Sequence, residues 1–243
     1  MKSPACRVIP VIHHIEPSLS LEQAKLAFEL GADGVFLISH QDDDASLIPL
    51  AKQIRQERPS AWLGINFLSM HLPDAFRLVV DSDVRIDGLW TDRPGVSSEG
   101  YETEALHLAT YRALLDDAGR PVPSIFASVA FKYQAFENDP GVAAAKALEL
   151  GFIPTTSGSA TGSAPSLSKI EVMRQAIGPD APLACASGMT LDNIWAFAPL
   201  LSHVLVATGV SRDEHHFDAQ RLEAFIHLAR AASERSTAAP EVV

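Results

Sequence analysis

Cysteine is scarce in this chain: Cys6 and Cys185 are the only two among 243 residues. They lie far apart and form no CxxC pair. That excludes a disulfide framework and points to reduced, packed thiols in a cytoplasm-like compartment. Positive charge is also short, with 19 Lys and Arg against 30 Asp and Glu and a net charge of −11. Such a surface repels a polyanion, so nucleic acid is not an expected partner. A small phosphate is still admitted, because it needs only a local pocket. No apolar run reaches the ~18 residues of a membrane helix, so membrane insertion is not expected. The opening stretch Met1 to Pro10 lacks a signal-type apolar block, which also suits a cytoplasmic protein. No spacing resembles HExxH or a zinc cluster. Neither a metal nor a cofactor is therefore expected.

What is present is a core. Hydrophobic residues make up 47% and charged residues 20%, a globular balance. The length is close to the roughly 250 residues of a single (β/α)₈ barrel. Apolar runs at 7–13, 33–38, 61–67, 86–91 and 124–129 read as strands, each followed by a helical stretch. Ser20 to Gln23 reads as a capping box for the first helix. Leu47, Leu50, Ala51 and Ile54 form the stripe of the second. The third to fifth helices are expected at 73–80, 101–117 and 140–150. The strands are continuous apolar runs instead of alternating ones, as in parallel sheets buried on both faces. Eight strands alternating with eight helices predict a single-domain α/β (β/α)₈ TIM barrel over residues 1–233, with 234–243 a flexible tail. An open doubly wound sheet is the alternative.

The last third states one pattern three times. Phe152 to Gly162, Pro182 to Thr190 and His203 to Ser211 each run from a short apolar strand into small hydroxyl residues and glycine, then a helix. These helices are expected from about Ser166, Thr190 and Asp218. Small residues let a ligand approach the backbone, and free N–H groups at a helix start favour an anion. In a barrel of this kind the loops after strands seven and eight are the usual phosphate site. Ser157, Gly158, Thr161, Gly162, Ser187, Gly188, Thr208, Gly209 and Ser211 are the candidate phosphate-binding residues.

The other strand ends carry the polar candidates. His13, His14 and Glu16 follow strand one. Ser39, His40 and Asp42 to Asp44 follow strand two, Asn66 strand three, Asp92 and Arg93 strand four, Ser128 and Lys132 strand five. Lys132, Glu16, Asp92 and His13 are the candidate catalytic groups, and Asn66 a candidate substrate-binding one. The three aspartates read most simply as a solvated helix start. His215 and His216 read as loop.

These motifs resemble the BtpA/SgcQ family, whose members are (β/α)₈ barrels of the ribulose-phosphate-binding type. Thr156-Ser-Gly-Ser-Ala-Thr-Gly162 is similar to that family's T-G-x-x-T-G, and Ser187-Gly188-Met-Thr190-Leu-Asp-Asn193 to its G-S-G-x-T-x-E-N. Thr208 to Asp218, with Arg221, is similar to its closing G-T-S-x-K…V-D-x-x-R. Ile12-His13, Gly64-Ile-Asn66 and Ala127 to Lys132 align upstream. On the polar half the chain departs: Ser39-His40, Ser69-Met70-His71, Leu89, Thr91, Ser128 and Ala130 stand where the family has other residues. The resemblance implies an anion site and either isomerase-like or nucleosidase-like chemistry on a ribosyl- or sugar-phosphate. The alternative it carries is a non-catalytic ligand-sensing or assembly protein. Homo-oligomerisation is compatible with either.

Overall fold

The computed structural model describes residues 5–41 and 43–236. Eight parallel strands close into a barrel: β1 Arg7–His14, β2 Val35–Ser39, β3 Leu63–Asn66, β4 Gly88–Thr91, β5 Ser124–Ser128, β6 Ile153–Thr156, β7 Ala184–Ala186 and β8 His203–Val206. β8 pairs with β1 through Arg7↔His203 to Pro10↔Val206, which closes the ring. Eight helices wrap it: α1 Pro17–Glu29, α2 Leu47–Glu57, α3 Leu72–Asp81, α4 Thr103–Asp117, α5 Pro140–Glu149, α6 Leu167–Ile177, α7 Ile194–Phe197 and α8 Ala219–Ser236. The (β/α)₈ TIM barrel expected from the sequence is the fold observed.

Strand parity sorts the core into two shells, because successive side chains point to opposite faces. Ile9 and Val11 of β1, Phe36 and Ile38 of β2, Trp90, Phe126, Ala184, Ala186 and Leu205 fill the barrel interior. Phe36, Trp62, Trp90 and Phe126 meet edge to face there, with centroids 5.2–5.9 Å apart. Val8, Ile12, Leu37, Ile65, Leu89, Ile125, Cys185 and Val206 take the other parity and pack under the helices. Leu47, Leu50, Ala51 and Ile54 of α2 are buried in that outer shell. Each fully buried leucine there contributes roughly 1.5–3 kcal/mol. Cys6 and Cys185 are both free and buried, and burial pushes the Cys185 thiol up to about 12.

Several local expectations are corrected. No capping box forms at Ser20 to Gln23; Glu16 caps α1, accepting from the Leu19 N–H at 2.8 Å. Ser20 is buried inside that helix against His14 Nδ1, and Gln23 Oε1 accepts from the Phe217 N–H. Tyr101 is not helical: Val96–Ser97 and Gly100–Tyr101 pair as an antiparallel hairpin between β4 and α4. α7 starts later than Thr190 because Asn193 holds the Thr190 N–H and the Gly188 carbonyl, and it runs directly into a 3₁₀ turn containing Pro199. Residues 234–236 belong to α8, while 237–243 of the expected tail lie outside the described residues.

Candidate functional site at the barrel mouth

The same parity decides what faces the mouth. Two residues beyond Val11 is His13, two beyond Ile38 is His40, and two beyond Trp90 is Asp92. All three, with Asn66, line a cavity of about 330 Å³ at the C-terminal strand ends. His14 has the opposite parity and turns outward to Ser20. Lys132, Tyr133 and Thr161 form one wall, and Ser187, Gly188, Thr208 and Gly209 another.

Asn66 is 1% exposed, and neither its Nδ2 nor its Oδ1 has a partner among the described residues. His13 Nδ1 is also buried without one. A buried polar atom left unpaired costs about 1–3 kcal/mol, so three in one cavity call for a partner. His13 meets the His40 ring edge-on at 5.0 Å. Burial, with His40 beside it, lowers the His13 pKa to about 4, so the ring is neutral at pH 7 and can donate or accept. Asp92 has the opposite displacement. Burial raises its carboxyl above the usual range, against the pull of Ser128 and the Lys132 charge. Ser128 Oγ donates to Asp92 Oδ1 at 3.2 Å and accepts from Trp90 Nε1 at 3.0 Å. Gln134 Nε2 donates to the carbonyls of Asp92 and Ser128, bracing the loop after β5. Lys132 Nζ donates to Thr161 Oγ1 at 3.1 Å.

The opposite wall is built by loops lying directly on one another. Gly188 has φ +75°, and a Cβ there would stand 2.2 Å from the Ala164 nitrogen; one at Gly209 would stand 2.0 Å from the Met189 carbonyl oxygen. Only glycine permits either approach. Ser187, at φ 86°, accepts the Gly162 N–H on its Oγ at 3.1 Å. Among the described residues the Gly188 and Met189 N–H groups have no acceptor.

Other candidates are placed elsewhere. Glu16 is exposed and occupied as the α1 cap; the Ser18 hydroxyl, then the Leu19 N–H, hold its carboxyl below the usual range, and it does not line the cavity. Ser157 is buried, accepting from the Lys132 N–H and donating to the Gly158 carbonyl. Gly158 packs against the Ser163 carbonyl, and Ser211 Oγ donates to Ala207 O. Ser157, Gly158, Gly162 and Ser211 thus shape the loops without lining the cavity. Asp218 accepts from the Arg221 N–H at the start of α8. Asp44 is not a solvated helix start: it is 4% exposed and accepts from the N–H groups of Leu68 and Ser69. Asp42 lies outside the described residues. His215 Nδ1 contacts the His13 carbonyl oxygen at 3.1 Å, and His216 pairs with Asp213. His40, named as a polar residue after strand two, is a cavity residue, as are Trp90 and Tyr133, which the sequence reading did not single out. Strand parity within the apolar run 86–91 finds Trp90. Lys169 was also missed; its Nζ donates to the Ala130 and Ser157 carbonyls, and burial lowers its pKa.

Fold and site together define a closed parallel (β/α)₈ barrel with a cavity at its C-terminal face, its largely apolar lining punctuated by polar side chains. Solved structures of similar shape include a native KDPGal structure, with TM-score 0.66, 16% identity, and coverage of 96% of this chain and 100% of that one. Phosphoribosyl anthranilate isomerase from Thermus thermophilus gives 0.62 at 18% identity, covering 94% of this chain and all of the other. (S)-3-O-geranylgeranylglyceryl phosphate synthase from Thermoplasma acidophilum, in complex with its substrate sn-glycerol-1-phosphate, gives 0.64 at 12%, covering 93% and 94%. At such identities the likeness is one of fold. No family model matches the chain, and no curated protein matches it. Among the described residues no helix is long and apolar enough to cross a membrane.

Proposed function

We propose that the protein is an enzyme acting on a small phosphorylated metabolite of the ribosyl- or sugar-phosphate type. The phosphate sits against the loops after β7 and β8, on the Gly188 and Met189 N–H groups, with Thr161, Ser187 and Thr208 supplying hydroxyls. Asn66 and neutral His13 hold sugar hydroxyls across the cavity. Asp92, with its raised pKa, gives or takes a proton, and Lys132 supplies charge or a second proton. Isomerase-like and nucleosidase-like reactions both need a donor and an acceptor across a tethered sugar. The neighbours that act on phosphate compounds support the reading through shared fold, and so does the BtpA/SgcQ resemblance of the loops.

The observation that carries it is Asn66: a fully buried amide facing a cavity with both its donor and its acceptor unused. Inorganic phosphate and ribose 5-phosphate, titrated against wild type and Asn66→Leu, test it. Phosphate should bind both proteins alike, and ribose 5-phosphate should lose most of its advantage in the variant. No binding of either to wild type would refute the reading. Binding without turnover across a panel of phosphorylated sugars would favour the non-catalytic sensing role instead.

A further inference from the structure

The mouth cavity does not end at Asp92. Asp92, Phe131, Lys132 and Tyr133 also line a second, larger groove of about 870 Å³, so the two spaces share a wall. This groove runs between the 96–101 hairpin, the start of α3 at His71 and the loop after β5. The hairpin is tied to the α5 side by Glu137, which accepts from the Ser98 N–H at 3.0 Å, and by Tyr101, which donates to Glu149.

We infer that the groove is a second subsite, and that it takes an uncharged planar ring attached to the sugar held in the mouth. The inference rests on the reading of the mouth as a phosphosugar site. Three observations select the occupant. Ligand sites run ~300–1,000 Å³, so the mouth is near the small end, and mouth plus groove exceed what a sugar phosphate fills. Second, an aromatic residue stands at the junction. Tyr133 is 80% exposed and holds φ +64°, a left-handed backbone that a bulky residue rarely adopts. Its hydroxyl reaches Thr161 Oγ1 at 3.4 Å, and Phe131, beside it, packs edge-on to Trp90 at 6.0 Å. Strain of this kind persists where the surroundings over-determine it, and it clusters at ligand clamps. Third, the groove lining carries Asp92, Glu99, Glu102 and Glu104 against Arg93 and Lys132, an acidic balance that disfavours a second anionic group.

The test compares ribose 5-phosphate, uridine and inosine 5′-monophosphates, and ribose 1,5-bisphosphate by calorimetric titration. At least one ring-bearing ligand should bind about tenfold tighter than ribose 5-phosphate, as base stacking on an aromatic side chain provides. The bisphosphate should gain nothing. Tyr133→Gly suits the left-handed backbone and removes the ring; Ser97→Trp narrows the groove from the hairpin. Each should collapse the affinity ratio between ring-bearing and plain ligand, in a protein whose circular dichroism shows it folded. Equal affinities in wild type, or a ratio unchanged in both variants, would overturn the subsite while leaving the mouth reading intact. If ribose 5-phosphate itself fails to bind, both fall.

Discussion

His203 offers a quantitative test of the barrel interior. It begins β8, is 9% exposed, and packs edge-on against Phe126 at 5.2 Å, with Nδ1 2.7 Å from Ser202 Oγ. Burial, helped by the nearby Arg7 charge, lowers its pKa from 6.5 to about 4. Above pH 6.5 the ring is neutral folded or unfolded, and the stability is whole. Below 6.5 the unfolded chain takes up a proton that the folded chain refuses until about pH 4, so stability falls as pH falls. The loss is about 1.4 kcal/mol per pH unit, hence about 2 kcal/mol by pH 5 and about 3 kcal/mol by pH 4. His203→Met removes the titration while keeping an apolar side chain against Phe126, and Ser202 Oγ keeps its bonds to Leu183. Urea unfolding followed by tryptophan fluorescence would be run at about pH 7.5 and about pH 5 on both proteins. The variant should start somewhat less stable and lose about 2 kcal/mol less on acidification. His13 and the carboxylates titrate in both proteins and cancel in the comparison. Equal losses would show that His203 is not held neutral in the folded barrel.

The other predictions concern the mouth and its supports. Phosphate or a phosphosugar at ~100 times its Kd should stabilise wild type by about 2.7 kcal/mol, roughly 5–10 °C in Tm at this size; a scan with no shift counts against the anion site. Gly188→Ala should destabilise the fold without reporting on the ligand, because its Cβ meets the 163–164 backbone; unchanged urea unfolding would contradict that loop contact. Lys132→Met should keep phosphate affinity yet lose on the order of 10²–10⁴-fold in turnover if the lysine moves a proton. A raised KM with unchanged kcat would make it a docking cation. Asp44→Ala strips the loop after β3 of its acceptor and should cost about 1–3 kcal/mol in urea unfolding, where a solvated carboxylate would cost little.

The chain's own pattern determined a parallel α/β architecture, and the β8–β1 pairing decided for the closed barrel over the open doubly wound sheet. Eight apolar runs, each followed by an amphipathic stretch, need to be buried on both faces, and a parallel sheet does that locally, unit by unit. The glycines and hydroxyls after the last three strands were equally legible, since small residues at strand ends have few other uses. What the sequence could not decide was how those residues are shared out between ligand and loop. Gly188 and Gly209 line the cavity, but it is loop-on-loop contact that forbids a side chain there. Ser157 and Ser211 have the right chemistry, yet their hydroxyls are consumed holding neighbouring backbone. Glu16 looked catalytic because it follows β1, but a carboxylate three residues ahead of an unpaired N–H at a helix start caps that helix instead. Only strand register separated His13 from His14, turning one into the mouth and the other outward. Only closure of the ring, which sets β8 beside β1, put Gly188 and Gly209 in one cavity with His13, Asn66, Asp92 and Lys132. Those contacts join residues dozens of positions apart, and no local propensity encodes them.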